Sequence, residues 1–349
     1  MRSTHNLDNP KAFFLVKNGS AYESFSLQNF QFPAPRTGEV VIENEGFGLN
    51  FAEVMARLGL YREAPPIPFV PGYDCVGRVI AIGDNVSADW VGKRVVALAR
   101  FGTYATHCVT RASGIAQIPD DMDAAAAAAL GVQYTTAFYA AMHAQRLMSG
   151  ERVLVHAGAG GVGTALIQFC KMSGCEVFAT AGSAAKLELM RANGADHVIN
   201  YKAEDYELRC KQILGKRRLD ASFNAIAGTT FKKDMRLLGT AGRMVLFGAA
   251  ERAASGSGNW PTIKLLWQMG LVLPIMLMAK SRTIVGVNLL KLADYRPDII
   301  THCMGECVRL YAEGKINPTV GGVYEAGAMA EAHHALESRM TSGKIFIKW

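Results

Sequence analysis

Four glycines, a serine and a lysine carry the most chemical information in this chain. Gly158, Gly160, Gly161 and Gly163 fall together in the stretch VLVHAGAGGVGTALIQFCK. Small residues at that spacing let a backbone turn tightly and come close to a ligand where a Cβ would intrude. Such a turn aims several unpaired N–H groups and the positive end of a helix at one point, which is where a pyrophosphate binds. Tight helix packing also selects glycine, so the turn alone leaves both readings open. The next strand ends in TAGSAAK, with no Asp or Glu to bind both ribose hydroxyls and with Ser183 and Lys186 instead. A 2′-phosphate is repelled by a carboxylate and attracted by an ammonium and a hydroxyl, which favours NADPH over NADH. A surface lysine with no such duty is the alternative.

These residues need elements to position them. Val153, Leu154 and Val155 form an apolar run suited to a strand covered on both faces. From Thr164 the spacing of Leu166, Ile167, Phe169, Cys170 and Met172 gives a helix with a broad apolar face, ended by Gly174. With the strand EVFAT this makes one βαβ unit. The alternation continues through a helix closed by Asn193-Gly194, the strands near HVINY and LDASFNAI, a helix and strand in FKKDMRLLGTAGRMVLFGAA, and a last strand in RTIVGVNL. An open, doubly wound parallel sheet over residues 132–290 follows, with its ligand beyond the carboxyl ends of the strands.

Residues 1–131 read differently. GEVVIENEGFGLN, GRVIAIG and GKRVVALA are short strands between Gly, Pro and Asp turns, as in a rolled antiparallel sheet. Residues 291–349 add a helix near 297–313 and the strand SGKIFIKW, which can return to this first sheet. The fold class is α/β, a doubly wound domain inserted into a β-rich one. A cleft between such domains is where a substrate is usually held.

The whole composition sets limits on function. The chain has 349 residues, half of them apolar and 19% charged, which suits a globular protein rather than a disordered one. Seven cysteines form an odd set without a C-x-x-C pair, so neither a disulfide framework nor a zinc ribbon is indicated, and a reducing cytoplasm fits. Cys303 and Cys307, one helical turn apart, read as small packing residues. The N-terminal FFLV run is too short for a signal-peptide core. Leu265–Ala279 is the most apolar stretch, but it carries Gln268 and Pro274 and is shorter than the roughly 20 residues of a spanning helix. It is expected to be buried or to line a cleft, with a membrane-facing surface as the alternative. The net charge of +7 is interspersed, and the one dense basic patch, KQILGKRR, has no interleaved aromatic residues. No nucleic-acid partner is expected. His333 and His334 are expected to be solvated.

Five motifs carry a resemblance over essentially the whole chain: GLNFAEVMARLGLY, PFVPGYDCVGRVIAIGDNV, HAGAGGVGTALIQFCK, NGADHVINY and SGKIFIKW. In order and spacing they resemble the medium-chain dehydrogenase/reductase superfamily, in its zinc-independent quinone oxidoreductase branch. The segment beginning NWPTIKLLWQMG further resembles the vesicle amine transport protein-like subgroup. The resemblance implies a Rossmann-type doubly wound sheet inserted into a GroES-like β-rich domain. In zinc members a cysteine takes the place of Asn50 and Gly-His-Glu the place of Gly72, Tyr73 and Asp74. The absence of those ligand types implies no metal. The resemblance puts Asn50 and Tyr61 at the reacting centre, as donors to a carbonyl oxygen gaining charge. It implies that Thr136 and Tyr139 line the nicotinamide pocket and that Gly158, Gly161, Val162 and Gly163 carry the pyrophosphate. Ser183, Lys186, Tyr201 and Arg339 would surround the 2′-phosphate, with Phe247 and Gly248 near the nicotinamide ribose. Met55 replaces a substrate-side aromatic of the family, which leaves the substrate open. The implied activity is NADPH-dependent reduction of a quinone, an enone or a related activated carbonyl by a homodimer, dimerising through TIVGVNL. The alternative is a lipid or membrane-surface binding protein with little turnover.

Overall fold

A computed structural model of the chain describes residues 9–253 and 260–349. The N-terminal reading begins on residues 1–8, which lie outside the described residues, as does Asn259 of the apolar segment. The chain divides into two compact units, residues 1–135 with 289–349, and residues 136–288.

The first unit is built on a mixed sheet. Its strand order is Val320–Glu325, Lys344–Lys348, Glu39–Leu49, Asp74–Ile82, Arg94–Leu98 and Ile115–Gln117, with His107–Arg111 also pairing Glu39–Leu49. The pairs are antiparallel except for Val320–Glu325 beside Lys344–Lys348. The C-terminal strand does return to this sheet, with Phe346 opposite Gly48. Val40, Ile42, Phe47, Leu49, Val79, Val95, Tyr104, Ile345 and Ile347 form its buried core. Along Glu39–Leu49 burial is nearly continuous rather than alternating, so both faces of this strand are covered.

The second unit carries six parallel strands in the order His197–Asn200, Glu176–Ala181, Arg152–Val155, Leu219–Asn224, Leu238–Leu246 and Thr283–Gly286. The order reverses beside Arg152–Val155, so the chain end of that strand is a topological switch point. The helix Gly161–Met172 buries Leu166, Ile167, Phe169 and Cys170 as expected, but Met172, in its last turn, is exposed rather than part of that face. Leu154 and Phe178 are fully buried in the sheet, and burial of each stabilises the unit by about 2 kcal/mol. Thr283–Gly286 lies at the sheet edge. This is the fold class the sequence implies: a GroES-like unit and a Rossmann-like parallel sheet.

Two expectations are corrected. The segment 260–280 forms no single buried helix. Trp260–Met269 and Pro274–Met278 are separated at Gly270, whose φ of +76° ends the first helix. Trp267 and Leu271 are each 79% exposed, and Trp260, Leu266, Ile275 and Met278 are exposed too. Apolarity along the sequence did not translate into burial, because both short helices present apolar side chains around their circumference. His333 is not solvated either. It is fully buried, with its Nε2 3.0 Å from the Tyr104 hydroxyl and Phe25 packed against its ring. Burial holds its imidazole down at about 3, so it is neutral at physiological pH. His334 is exposed, as expected. All seven cysteines are free and buried, Cys303 and Cys307 on one face of Pro297–Ala312.

Candidate functional site

In the first unit, chemistry concentrates where three strands and one helix meet. Asn50 is the N-cap of Phe51–Arg57 and is only 7% exposed. Glu53, one turn on, reaches back to accept from the Asn50 backbone N–H at 2.7 Å, which fixes the helix start. Asp74 opens the strand Asp74–Ile82, and Lys344 opens the last strand. Lys344 Nζ donates to Asp74 Oδ2 at 2.6 Å and to Asn50 Oδ1 at 3.1 Å, with both charged side chains fully buried. The Asn50 amide nitrogen donates to Asp74 Oδ2 at 3.1 Å and to Glu53 Oε1 at 3.2 Å. The neighbours fix the amide orientation, since its oxygen must face the ammonium and its nitrogen the carboxyl groups.

Gly48 makes this cluster possible. A Cβ there would stand 2.0 Å from Lys344 Cε and 2.1 Å from Asp74 Oδ1. Burial raises the Glu53 carboxyl to about 8, and the Asp74 charge pushes the same way. Glu53 is therefore largely protonated at neutral pH, and the cluster approaches zero net charge, as a dry interior demands.

This geometry alters the part expected of Asn50. Donation to a substrate oxygen needs a free amide proton, and both are spent on Glu53 and Asp74. Tyr61 is different. It follows the helix, half-buried, with its ring against Tyr73 at 6.2 Å in an edge-on contact. Burial raises its phenol, so it stays protonated and able to donate. Met55 is half-buried on the same helix.

A zinc ion does not fit here. Asn50 and Tyr73 offer an amide and a phenol, and the Asp74 carboxylate already holds an ammonium. The positive charge in this cluster is that of a side chain.

In the second unit the glycine turn leads from Arg152–Val155 into Gly161–Met172. Its glycines serve closeness rather than backbone handedness. A Cβ on Gly163 would lie 2.2 Å from the Ala157 carbonyl oxygen, and one on Gly158 would lie 2.5 Å from Met190 Sδ. The left-handed residue of the turn is Ala157, with φ +51°. Gly160 caps the helix without a side chain, leaving the first-turn N–H groups of Gly161, Val162 and Gly163 with no capping oxygen from it. That cradle suits a phosphate group.

Beneath the turn lies a buried polar network the sequence did not disclose. His156 Nε2 is 2.9 Å from Asp234 Oδ1, and its Nδ1 is 3.2 Å from the Thr180 hydroxyl. Ser222, Asn224 and Tyr206 also donate to Asp234. Burial alone would raise the Asp234 carboxyl, but the His156 charge and these hydrogen bonds outweigh it and hold it below its usual value. The network fixes the carboxyl ends of three strands relative to one another.

Ser183 is the exposed N-cap of Ala184–Ala192, and its hydroxyl makes no capping bond. Tyr201 is brought to it: a Cβ on Gly182 would meet the Tyr201 hydroxyl at 2.8 Å. Lys186 lies on the first turn of the same helix, three positions after Ser183. Phe247 and Gly248 follow Leu238–Leu246; Phe247 N donates to Asn224 O, and Gly248 packs on Ala225. Thr136 is buried, and Tyr139 is half-buried on a π-helical turn, Tyr139–His143, stacked on His143. Arg339 belongs to the first unit, after Met329–Glu337, at φ +58°.

Comparison with known proteins agrees with this architecture. Residues 36–149 match the alcohol dehydrogenase GroES-like domain, and residues 161–302 match a family described as zinc-binding dehydrogenase. The human synaptic vesicle membrane protein VAT-1 homolog is 33% identical over 317 residues, 90% of this chain and 80% of its own length. In the zebrafish homolog, also 33% identical, the matched stretch spans 65% of the relative's length. A rat quinone oxidoreductase is 31% identical over 90% of both chains. The solved structure of Escherichia coli quinone oxidoreductase complexed with NADPH superimposes with a TM-score of 0.84 at 28% identity, covering 97% of this chain and all of that one.

Proposed function

Because the chain belongs to the zinc-independent quinone oxidoreductase and VAT-1-like branch of the medium-chain dehydrogenases and reductases, an oxidoreductase family, we propose that it reduces a quinone, an enone or a related activated carbonyl with NADPH. The observation that carries this reading is that Ser183 and Lys186 open the helix after the second strand of the Rossmann-like sheet, with Tyr201 against the adjoining Gly182, where an NAD-specific site places a carboxylate.

Bound NADPH supplies the hydride. The protein's own residues do the rest. The backbone of Gly158, Gly161, Val162 and Gly163 holds the diphosphate against the helix N-terminus. Ser183, Lys186 and Tyr201 receive the 2′-phosphate, and Thr136, Tyr139, Phe247 and Gly248 frame the nicotinamide end. The protonated Tyr61 hydroxyl donates to the substrate oxygen as it gains charge. Asn50, clamped by Lys344, Asp74 and Glu53, holds the helix start from which Tyr61 follows. Polarisation by a hydroxyl suffices for an electrophilic enone or quinone, whereas an alcohol needs a stronger Lewis acid.

Calorimetry with NADPH and NADH, followed by cofactor oxidation across quinones and enals, tests the reading. Tighter NADPH binding and turnover with at least one acceptor are expected. No heat with either nucleotide would remove the oxidoreductase assignment.

A second reading, binding to a lipid or membrane surface with little turnover, is favoured by the exposed Trp260, Leu266, Trp267, Leu271, Ile275 and Met278. No helix among the described residues is long and apolar enough to cross a membrane. Co-sedimentation with vesicles, compared with a Trp267→Glu/Leu271→Glu variant, separates surface binding from its absence. The edge strand Thr283–Gly286 is our candidate for twofold pairing in a homodimer, to be read from mass in solution. We place the protein in the cytoplasm.

A further inference from the structure

The basic stretch that the proposed reaction leaves unused lines a cavity. Lys211, Arg218, Arg236, Lys280 and Arg282 surround a space of about 670 Å³, together with Met235, Met276 and Ala279. Lys211 and Arg236 share one carboxylate, that of Glu207, at 2.6 Å each. Among the described residues Arg218, Lys280 and Arg282 pair with no acidic side chain. Five cations against a single carboxylate leave four charges uncompensated around one space.

Arg282 is also held in place. Its guanidinium donates to the carbonyl oxygens of Met235 at 2.8 Å and Gly239 at 3.1 Å, and to that of Leu238. Burial, with the neighbouring Arg218 charge, lowers its basicity. A fixed cation in a self-repelling group is relieved when an anion arrives, and it loses little freedom in binding one.

The position separates this cavity from the glycine turn. Arg218 immediately precedes Leu219–Asn224, and Arg282 immediately precedes Thr283–Gly286. The glycine turn follows the end of Arg152–Val155, and all these strands are parallel. The two features therefore lie at opposite ends of one sheet.

We propose that this cavity is a second anion site, binding a small molecule that carries two or more clustered phosphate groups. Its volume falls in the range of small-ligand sites. The lining has no aromatic side chain on which a base could stack, which argues against nucleic acid. Met235, Met276 and Ala279 give it an apolar wall, suited to the organic part of a phosphate ester. The same chemistry is offered by a soluble polyphosphorylated metabolite or by a polyphosphorylated lipid headgroup. The site stands independently of the cofactor reading.

Titration of the full chain with inorganic tripolyphosphate, with and without saturating NADPH, tests the proposal. Stoichiometric binding that NADPH leaves unchanged is expected, and it should weaken by about 10- to 100-fold in Arg218→Ala/Lys280→Ala. Both replaced side chains are exposed, so the fold should survive, and NADPH heats on the same variant report that directly. Lys186→Ala should bind tripolyphosphate normally. Absence of tripolyphosphate binding, binding retained in the double variant, or displacement by NADPH would each overturn the site. Competition between tripolyphosphate and phosphatidylcholine vesicles containing phosphatidylinositol bisphosphate then assigns the source. Displacement by the vesicles points to a headgroup, and its absence points to a soluble metabolite.

Discussion

Lys344 and Asp74 form a fully buried ion pair of 2.6 Å, and the absent side chain of Gly48 is what lets them meet. The ammonium also holds Asn50. A buried side-chain cation thus organises this cluster, and the consequences are measurable.

Removing one partner of this pair should cost far more than removing both charges. Lys344→Met strands a buried carboxylate and should destabilise the protein by about 3–5 kcal/mol. Lys344→Met combined with Asp74→Asn should recover a substantial part of that loss in urea unfolding. Equal losses in the single and double variants would show that packing, not charge, dominates.

Glu53 makes stability depend on pH in an unusual direction. Its carboxyl rises from 4.5 to about 8 on folding, chiefly through burial and then through Asp74. Between those values the folded state holds a proton that the unfolded state has released. Its contribution is full below pH 4.5, shrinks as pH rises, and is gone above pH 8. Glu53→Gln should flatten the unfolding free energy across this window. An unchanged slope would relocate the proton to another group.

Cofactor choice should respond to Lys186. Lys186→Ala is expected to weaken NADPH by about 10- to 100-fold while leaving NADH within a few-fold, since only the phosphorylated adenosine loses a charged partner. Parallel calorimetric titrations decide this. Equal weakening of both nucleotides would discard the 2′-phosphate role.

The donor role assigned to Tyr61 predicts a kinetic signature. Tyr61→Phe should lower kcat about 100-fold with little change in NADPH affinity, because the interaction is made as charge develops on the substrate. With its phenol raised by burial, any loss of the wild-type rate from tyrosinate formation should set in at a higher pH than for an ordinary tyrosine. Asn50→Ala should lower turnover and stability together, because it leaves Lys344 and Glu53 without a shared partner. A Tyr61→Phe enzyme with full turnover would take the hydroxyl out of the chemistry.

Gly163→Ala should impair nucleotide binding and stability in one step, as the new Cβ would meet the Ala157 carbonyl at 2.2 Å. Denaturation midpoints and NADPH titration of the same preparation read both effects.

The strand, glycine turn and helix around residues 153–172 were legible from sequence because each depends on neighbours a few residues away. The same holds for the parallel alternation that follows and for the return of the last strand. Even there the reason for the glycines shifted. They permit close approach to Ala157 and Met190, while the left-handed backbone falls on an alanine. Local pattern identified the turn without identifying which atoms crowd it.

What the sequence could not reveal lies in pairs brought together from afar. Lys344 and Asp74 are 270 positions apart, and their contact depends on strand register across Glu39–Leu49. Asp234, on the helix Thr229–Leu237, meets His156, which lies 78 positions earlier in the chain. His333 and the 260–280 segment were misjudged for a related reason: burial belongs to the surroundings rather than to the side chain, so one histidine is enclosed while several tryptophans and leucines remain exposed. By itself the sequence determined the fold class and the glycine turn, since periodicity and glycine spacing are local properties of the chain, and the resemblance of its motifs pointed to the family. Only the tertiary structure decided that a buried ammonium, an amide and two carboxyl groups share one cluster, because long-range strand pairing and the exclusion of water are what set both their distances and their charges.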